Sequence, residues 1–304
     1  MRAWHAITVA ILAISGCGGA NGAIGLHRSQ GWQATQAADP IPTGGMRRVV
    51  SLGHSVRGRP ITAVELGSPA SPRHVLVVGA IHGDETAGMA VVRDLEGEPA
   101  VAGADVWLVA DLNPDGVAAD SRQNAHRVDL NRNFPFHWQA IGFPGDQQYP
   151  GPHPLSEPEA RIAHALILRL RPSITIWFHQ PLAVVDASGG DIAIERRFAR
   201  LVKLPLRRLT RYPGSATGWQ DHRLPTTTAF VVELPRGTLS HTRVERTAAA
   251  IHTIARKSGP SALSGRVARR RSSLAKLRRR LTAVTRHIQY AYTNGAAGDK
   301  WTHP

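Results

Sequence analysis

The stretch Val75-Leu76-Val77-Val78-Gly79-Ala80-Ile81-His82-Gly83-Asp84-Glu85 joins an apolar run to a polar turn, and a helix-like segment, 86–95, follows it. The apolar residues 75–78 have the length and composition of a buried strand. A histidine and a glutamate three residues apart, across a strand-to-helix turn, can direct an imidazole nitrogen and a carboxylate oxygen to one point. Zinc in hydrolases takes such ligands, together with one further protein ligand and an open position for water. His82 and Glu85 are therefore candidate metal ligands, although the helix dipole also explains a glutamate at a helix start.

Strand and helix patterns alternate on both sides of this stretch. The strand patterns cover 48–52, 61–66, 75–78, 105–110, 173–178 and 229–232, and the helical patterns cover 85–95, 157–170, 191–201 and 243–256. The first two strand patterns are joined by turn residues at 57–60, which predicts a hairpin. The alternation that follows predicts an α/β fold, with a mainly parallel mixed sheet flanked by helices on both faces.

Polar residues follow four of the predicted strands. They are His82, the turn Asn113-Pro114-Asp115-Gly116, His179 and Glu233. In open α/β sheets, ligands bind at the carboxyl ends of the strands. We therefore expect these four groups to converge on one crevice.

The segment between the second and third of these groups makes the pattern more specific. Arg122 is followed by Val-Asp-Leu-Asn-Arg-Asn-Phe-Pro at 128–135. The order His82-x-x-Glu85, Asn-Pro-Asp-Gly, Asn131-Arg132, His179, Glu233 resembles the zinc carboxypeptidase superfamily, over about 49–254. The closest similarity is to its murein peptide amidases, which cut the bond between γ-D-glutamate and meso-diaminopimelate in cell-wall peptides. The motifs that carry it are Gly-Ala-Ile-His-Gly-Asp-Glu at 79–85, Ser-Glu-Pro-Glu-Ala at 156–160, Phe-His-Gln at 178–180 and Val-Glu-Leu-Pro at 232–235.

The resemblance implies a role for each of these residues. His82, Glu85 and His179 would hold one Zn²⁺ per chain, and Glu233 would be the general base. Arg122 would face the oxyanion of the tetrahedral intermediate. The resemblance further implies that a free carboxylate of the leaving residue is bound by Asn131 and Arg132, with Tyr212 near the position of a mobile tyrosine of carboxypeptidases.

Some assignments leave alternatives open. Asn131 and Arg132 could instead form a buried structural network, and loop lengths around Tyr212 differ from those of carboxypeptidases. Asp129 is expected to be a hydrogen-bonding partner rather than a catalyst. Arg127 occupies a position where relatives usually have glycine, which removes backbone freedom and adds a cation near the pocket.

The chain ends have a different composition from the body. A short basic start and an apolar run end in Ile-Ser-Gly-Cys, which resembles a bacterial lipobox, so 1–17 is interpreted as an export signal with lipidation at Cys17. The alternative is an ordinary signal with a chance cysteine. Residues 18–45 are interpreted as a flexible tether, 46–257 as the catalytic domain and 258–304 as a basic extension. The predicted location is the cell envelope, with the protein membrane-anchored through Cys17 or otherwise secreted.

The formal charge of +15 arises mostly in the basic extension, where eight Lys and Arg lie between Arg266 and Arg280. Export argues against nucleic acid as its partner, and an anionic envelope polymer or membrane surface fits better. The leading hypothesis is an exported zinc metallopeptidase of murein-derived peptides. The alternatives are a zinc carboxypeptidase of ordinary peptides, an amino-acid acylase, or a non-catalytic envelope-binding lipoprotein.

Overall fold

The computed structural model describes residues 46–187 and 189–257. The predicted signal with Cys17, the tether 18–45 and the basic extension 258–304 lie outside the described residues, and they stay predictions. Within the described ranges, no helix combines the length and the apolar character that a membrane span requires.

The described chain forms eight strands, six α-helices and one 3₁₀ turn. The strands are β1 (Met46–His54), β2 (Pro60–Gly67), β3 (His74–Val78), β4 (Asp105–Val109), β5 (Ile174–His179), β6 (Leu182–Asp186), β7 (Leu206–Arg207) and β8 (Thr228–Pro235). The helices are α1 (Ala87–Glu96), α2 (Pro114–Ala119), α3 (Pro158–Leu170), α4 (Ile192–Val202), α5 (Ala216–Arg223) and α6 (His241–Lys257), and the 3₁₀ turn is Leu130–Arg132.

The strands form one mixed sheet in the order β1-β2-β4-β3-β5-β8-β6-β7. The central strands β4, β3, β5 and β8 are mutually parallel, and β6 and β7 are parallel to each other. The hairpin β1–β2 and the pairs β2–β4 and β6–β8 are antiparallel. The prediction of a mainly parallel mixed sheet is confirmed.

Alternate side chains of the central strands enter two separate cores. Val75 and Val77 pack with apolar residues of α1, α4 and α6, whereas Leu76 and Val78 pack with those of α3 and α5. Helices therefore cover both faces, and a strand covered on both faces must be apolar at successive positions. Each aliphatic side chain buried in this way contributes roughly 1.5–3 kcal/mol.

The strands that carry His179 and Glu233 extend further toward their C-terminal ends than the sequence pattern indicates. His179 is the last residue of β5, and Glu233 lies within β8 rather than after it. The parallel register pairs His179 directly with Glu233. Adjacent strands lie about 5 Å apart, so this pairing brings the two side chains to the same point of the sheet edge.

Several short elements were not predicted. They are α2, α5, β6 and β7, each of eight residues or fewer. Elements this short show no clear periodicity, and β6 acquires its conformation by pairing with β8. The strand β6 matters for function because it forms one wall of the site described next.

Candidate active site

The turn after β3 is held tightly against helix α2. A Cβ atom on Gly83 would lie 2.0 Å from the carbonyl carbon of Gly116 and 2.3 Å from the amide nitrogen of Val117. Only glycine permits such a backbone approach. Helix α1 begins at Ala87, so Glu85 lies in the turn and not in the helix as the sequence pattern predicted. The turn thereby places His82 and Glu85 side by side above β3.

One possible metal-ligand atom from each of His82, Glu85 and His179 lies about 3 Å from the other two. Nδ1 of His82 lies 3.0 Å from Oε2 of Glu85, and Nδ1 of His179 lies 2.8 Å from the same oxygen. The two Nδ1 atoms are 3.1 Å apart. Zinc–ligand bonds of roughly 2.0–2.2 Å in tetrahedral geometry separate neighbouring ligands by about 3.3 Å. The three side chains therefore fit one zinc ion and leave a fourth position open.

The electrostatics of this triad favour a bound cation. Burial alone would raise the pKa of Glu85, but the imidazoles of His179 and His82 hold it well below its usual range. Burial likewise opposes charge on His82, yet Asp129 and Glu85 raise the pKa of this imidazole above its ordinary value. Positive charge is thus stabilised at the point where the three donors meet.

Asp129 orients both His82 and Arg122. Its Oδ1 lies 3.0 Å from Nε2 of His82 and also accepts the backbone amide of Asn131 at 2.9 Å. Its Oδ2 accepts from Nε and Nη2 of Arg122 at 3.1 and 2.9 Å. A carboxylate on the far nitrogen of a ligating histidine fixes the ring and directs the other nitrogen to the metal. This contact agrees with the structural role expected for Asp129.

Arg122 reaches the metal triad from the side. Its Nη1 lies 3.0 Å from Oε1 of Glu85 and 3.1 Å from Nδ1 of His82. Burial would lower the pKa of the guanidinium, but Asp129 and Glu85 raise it. Arg122 is therefore a permanent cation, held by Asp129 beside the open metal position.

Glu233 lies directly beside His179, because β8 pairs with β5. It is half-buried, and its Oε2 accepts the backbone amide of Leu182 at 3.4 Å. Burial raises the pKa of this carboxyl, Glu85 adds to the effect, and His179 opposes it. A carboxylate that accepts a proton more readily than usual suits a general base.

Three further predicted residues line the cavity that holds the metal triad and Glu233. They are Asn131, Arg132 and Tyr212. The Asn131 amide oxygen accepts the backbone amide of Ala216 at 2.9 Å, which fixes the side chain next to His179. Arg132 is 5% exposed, and its guanidinium lies 4.3 Å from the centre of the Tyr212 ring. Nη1 donates to the Asn131 carbonyl at 2.8 Å, whereas Nε has no hydrogen-bond partner among the described residues.

One of the four strand-end groups supports the site without forming part of it. Asn113 is fully buried, donates to the Ile81 carbonyl at 3.2 Å and accepts the Gly116 amide at 3.0 Å. Its turn therefore braces the ligand loop from behind. The expectation that all four groups line the crevice is wrong for Asn113, because its side-chain amide is hydrogen-bonded to the backbone behind the crevice.

Arg127 also differs from its expected position. It has φ +62°, the left-handed conformation that a glycine would adopt without strain. Its guanidinium packs against Gly145, and it lines neither of the two cavities at the site. The cation expected near the pocket therefore does not line it.

Gln180, the last residue of the Phe-His-Gln motif, was not predicted as a site residue. It connects three parts of the site. Its Nε2 donates to the carbonyls of Pro235 and Gly237 at 2.7 and 2.9 Å, and its Oε1 accepts the Ala87 amide at 3.0 Å. Its own backbone amide donates to Glu85 at 3.2 Å. Its position directly after His179 at a strand end is the signal that could have identified it.

All eight predicted site residues line one cavity of about 390 Å³. They are His82, Glu85, Arg122, Asn131, Arg132, His179, Tyr212 and Glu233. An adjoining cavity of about 550 Å³ shares Glu85, Arg122 and Gln180 with it and extends toward Arg236 and Thr238. Glu85 and Arg122 thus lie where the two cavities meet.

Known proteins resemble this chain in both sequence and structure. A family model described as zinc carboxypeptidase matches residues 41–184. Murein peptide amidase A of Vibrio campbellii is 33% identical over 204 residues, which cover 61% of this chain and 78% of that protein. Murein peptide amidase A of Escherichia coli strain K12 is 31% identical over 185 residues, with coverages of 55% and 74%.

The crystal structure of the murein-tripeptide amidase from Escherichia coli O157 matches with a TM-score of 0.57 at 26% identity. The match covers 72% of this chain and 94% of that chain. The motif order, the sheet and the metal triad agree with these similarities. The chain belongs to the zinc carboxypeptidase family, and it is a hydrolytic metalloenzyme that uses zinc.

Proposed function

We propose that this protein is an exported zinc peptidase that hydrolyses the amide bond between γ-D-glutamate and meso-diaminopimelate in cell-wall peptides. The observation that carries the proposal is the cavity that all eight predicted site residues line together. The substrate class is suggested by the two relatives, both murein peptide amidases. Water adds to the scissile carbonyl, the C–N bond breaks, and the products are a carboxylate and the amine of diaminopimelate.

His82, Glu85 and His179 would hold the zinc. When bound, the metal polarises the scissile carbonyl and increases the acidity of a water molecule. Glu233 is placed to take a proton from the attacking water and to return it to the amine of the leaving residue. Its position beside His179 and its raised pKa both suit this exchange.

Arg122 would stabilise negative charge that develops on the carbonyl oxygen. Asp129 holds the guanidinium through two of its nitrogens, so little reorganisation is needed when the charge appears. A fixed donor of this kind contributes about 3–4 kcal/mol to the transition state.

Asn131 and Arg132 would bind the free α-carboxylate of the leaving residue. Leaving the Nε–H of Arg132 unpaired in a buried setting costs about 1–3 kcal/mol, and a carboxylate ligand would satisfy it. Tyr212 lies against the guanidinium face and is 45% exposed, so it would cover the bound carboxylate from the solvent side.

Export to the cell envelope is part of the same proposal. Lipidation at Cys17 would anchor the enzyme to a membrane, where murein peptides are accessible. The basic extension 258–304 would add attraction to anionic lipid headgroups or envelope polymers. Fractionation of producing cells, with Cys17→Ala as comparison, tests this part: the variant should leave the membrane fraction, and an unchanged distribution would contradict it.

The central experiment is digestion of L-Ala-γ-D-Glu-meso-diaminopimelate by zinc-loaded protein, followed by mass spectrometry. We expect release of free diaminopimelate. Release of C-terminal residues from ordinary α-peptides alone would favour a general carboxypeptidase, and hydrolysis of N-acyl amino acids alone would favour an acylase. Binding of murein without turnover would favour a non-catalytic envelope protein.

Glu233→Gln tests the general base. The variant should retain one zinc per chain and lose about 10²–10⁴-fold in kcat, because the amide cannot accept the proton. Glu245→Gln, at an exposed position of α6, is the matched control and should be fully active. Full activity of the Glu233 variant would refute the assignment.

Arg132→Ala tests the carboxylate anchor. KM should rise about 10–100-fold for a substrate with a free α-carboxylate and change little for its α-carboxamide. Arg196→Ala removes an exposed arginine of α4 and serves as control. An equal loss on both substrates would show that Arg132 supports the fold rather than the ligand.

A further inference from the structure

The cavity that holds the metal triad extends to a second charged group away from the zinc position. Asp186, Leu209, Thr210 and Arg211 form this end, and they line the same cavity as Glu233 and Arg132. In the antiparallel pairing of β6 with β8, Val184 lies opposite Glu233 and Val185 opposite Val232. Alternate residues of a strand share a face, so Asp186 lies on the same side of the sheet as the general base.

Asp186 and Arg211 are both held in place by contacts behind the cavity wall. Asp186 is 3% exposed, and its Oδ1 accepts the backbone amide of Leu209 at 3.0 Å. Nη2 of Arg211 donates to Asp221 at 2.6 Å, and Asp221 in turn accepts the Ala229 amide at 3.1 Å. A carboxylate and a guanidinium are thereby fixed at the same end of one cavity.

A third acid behind this end carries no charge at neutral pH. Glu195 is fully buried, and burial together with Asp186 raises its pKa to about 8. Asp221 is paired with Arg211, so the wall carries carboxylates together with a guanidinium rather than groups of a single sign.

This arrangement is selective for one kind of side chain. An apolar side chain would remove water from both ionic groups without replacing it, which is costly. A lysine would satisfy the carboxylate alone. An amino-acid head group, with an ammonium and a carboxylate on one carbon, matches both.

We propose that Asp186 and Arg211 bind the distal amino-acid head group of the leaving residue, with Asp186 accepting from its ammonium and Arg211 donating to its carboxylate. The inference rests on the proposed function and makes it more specific, because diaminopimelate is the leaving residue whose side chain ends in such a zwitterion. The unpaired Nε of Arg132 in the same cavity is independent evidence for an anionic group of the ligand, bound nearer the metal triad.

The test compares four peptides that share L-Ala-γ-D-Glu and differ in the leaving residue. The residues are meso-diaminopimelate, its distal carboxamide, L-lysine, which lacks the distal carboxylate, and 2-aminopimelate, which lacks the distal ammonium. For full-length zinc-loaded protein, kcat/KM should be at least about 10-fold higher with diaminopimelate than with each of the others.

Two variants should change this preference in opposite ways. Asp186→Asn should lower kcat/KM about 10–100-fold for the peptides with a distal ammonium and spare the 2-aminopimelate peptide. Arg211→Lys should lower it for the two peptides with a distal carboxylate and spare the lysine and carboxamide peptides. Arg208→Lys, at an exposed position outside the cavity, is the control matched to Arg211→Lys and should leave all four values unchanged.

Equal kcat/KM values of the wild-type protein for all four peptides would overturn the inference, as would a uniform loss in both variants. If Asp186→Asn unfolds at the assay temperature, Arg211→Lys and the wild-type preferences still decide the question. If the wild-type protein cleaves none of the peptides, the proposed function fails. Calorimetry with free diaminopimelate and lysine then decides the inference separately, since binding of diaminopimelate no tighter than lysine would reject it.

Discussion

Replacing Glu195 by glutamine should stabilise the protein at alkaline pH and leave its stability at acidic pH nearly unchanged. Glu195 lies in the first turn of α4 and is 0% exposed. Neither carboxyl oxygen has a hydrogen bond of normal geometry among the described residues, and the nearby amide of Gly189 offsets only part of the cost of ionisation. Burial first, and then the negative charge of Asp186, raises the pKa of Glu195 from 4.5 to about 8.

The magnitude follows from proton linkage. Between pH 4.5 and about 8 the folded protein keeps a proton on Glu195 that the unfolded chain has lost. The free energy of unfolding therefore falls as pH rises through this window, by about 1.4 kcal/mol per pH unit at most. From pH 5 to pH 8 the loss amounts to roughly 3–4 kcal/mol. Glutamine has no proton to lose, so the variant lacks this component.

The assay is urea unfolding of the wild-type protein and Glu195→Gln at pH 5 and pH 8. The difference between the two proteins should be small at pH 5 and reach roughly 3 kcal/mol in favour of the variant at pH 8. Glu245→Gln, on the exposed face of α6, should show no such change with pH. A difference between wild type and variant that is the same at both pH values would refute the argument that Glu195 is protonated in the folded protein.

Two further predictions concern the support of the metal site. Asp129→Asn removes a carboxylate that His82 and Arg122 share, so zinc affinity measured against a competing chelator should fall about 10–100-fold. The control Asp120→Asn, at an exposed left-handed position that asparagine tolerates, should bind zinc normally. Gly83→Ala places a methyl group 2.0 Å from backbone and should lower both the free energy of unfolding, by about 1–3 kcal/mol or more, and the zinc content. Gly97→Ala, whose Cβ meets no atom closer than 3.4 Å, should have little effect, and wild-type zinc content and stability in the Gly83 variant would contradict the prediction.

Local patterns in the sequence were sufficient for the central strands and for the candidate ligands. The apolar run before His82 must be buried on both faces, and the polar turn that follows it must lie at the sheet edge. The same argument applies to β5 with His179 and to β8 with Glu233. These predictions depend on residues close together in the chain, so the sequence contains the information that they need. The metal-ligand role of His179, the general-base role of Glu233 and the roles of Arg122, Asn131 and Arg132 depended instead on resemblance to a family.

The sequence by itself determined the α/β class, the sheet-edge positions of His82, His179 and Glu233, and the residues of the motif set. The tertiary structure decided which other groups reach the site. Asn113 lies near the end of a strand just as His179 does, yet its side-chain amide is hydrogen-bonded to the backbone of Ile81 and Gly116 and does not reach the cavity. Asp186 and Arg211 are 25 residues apart in sequence numbering, and they line one cavity because β6 pairs with β8 and Asp186 accepts the backbone amide of Leu209. The physical reason is that pairing between strands distant in sequence sets which side chains share a surface, and neither periodicity nor composition specifies that pairing.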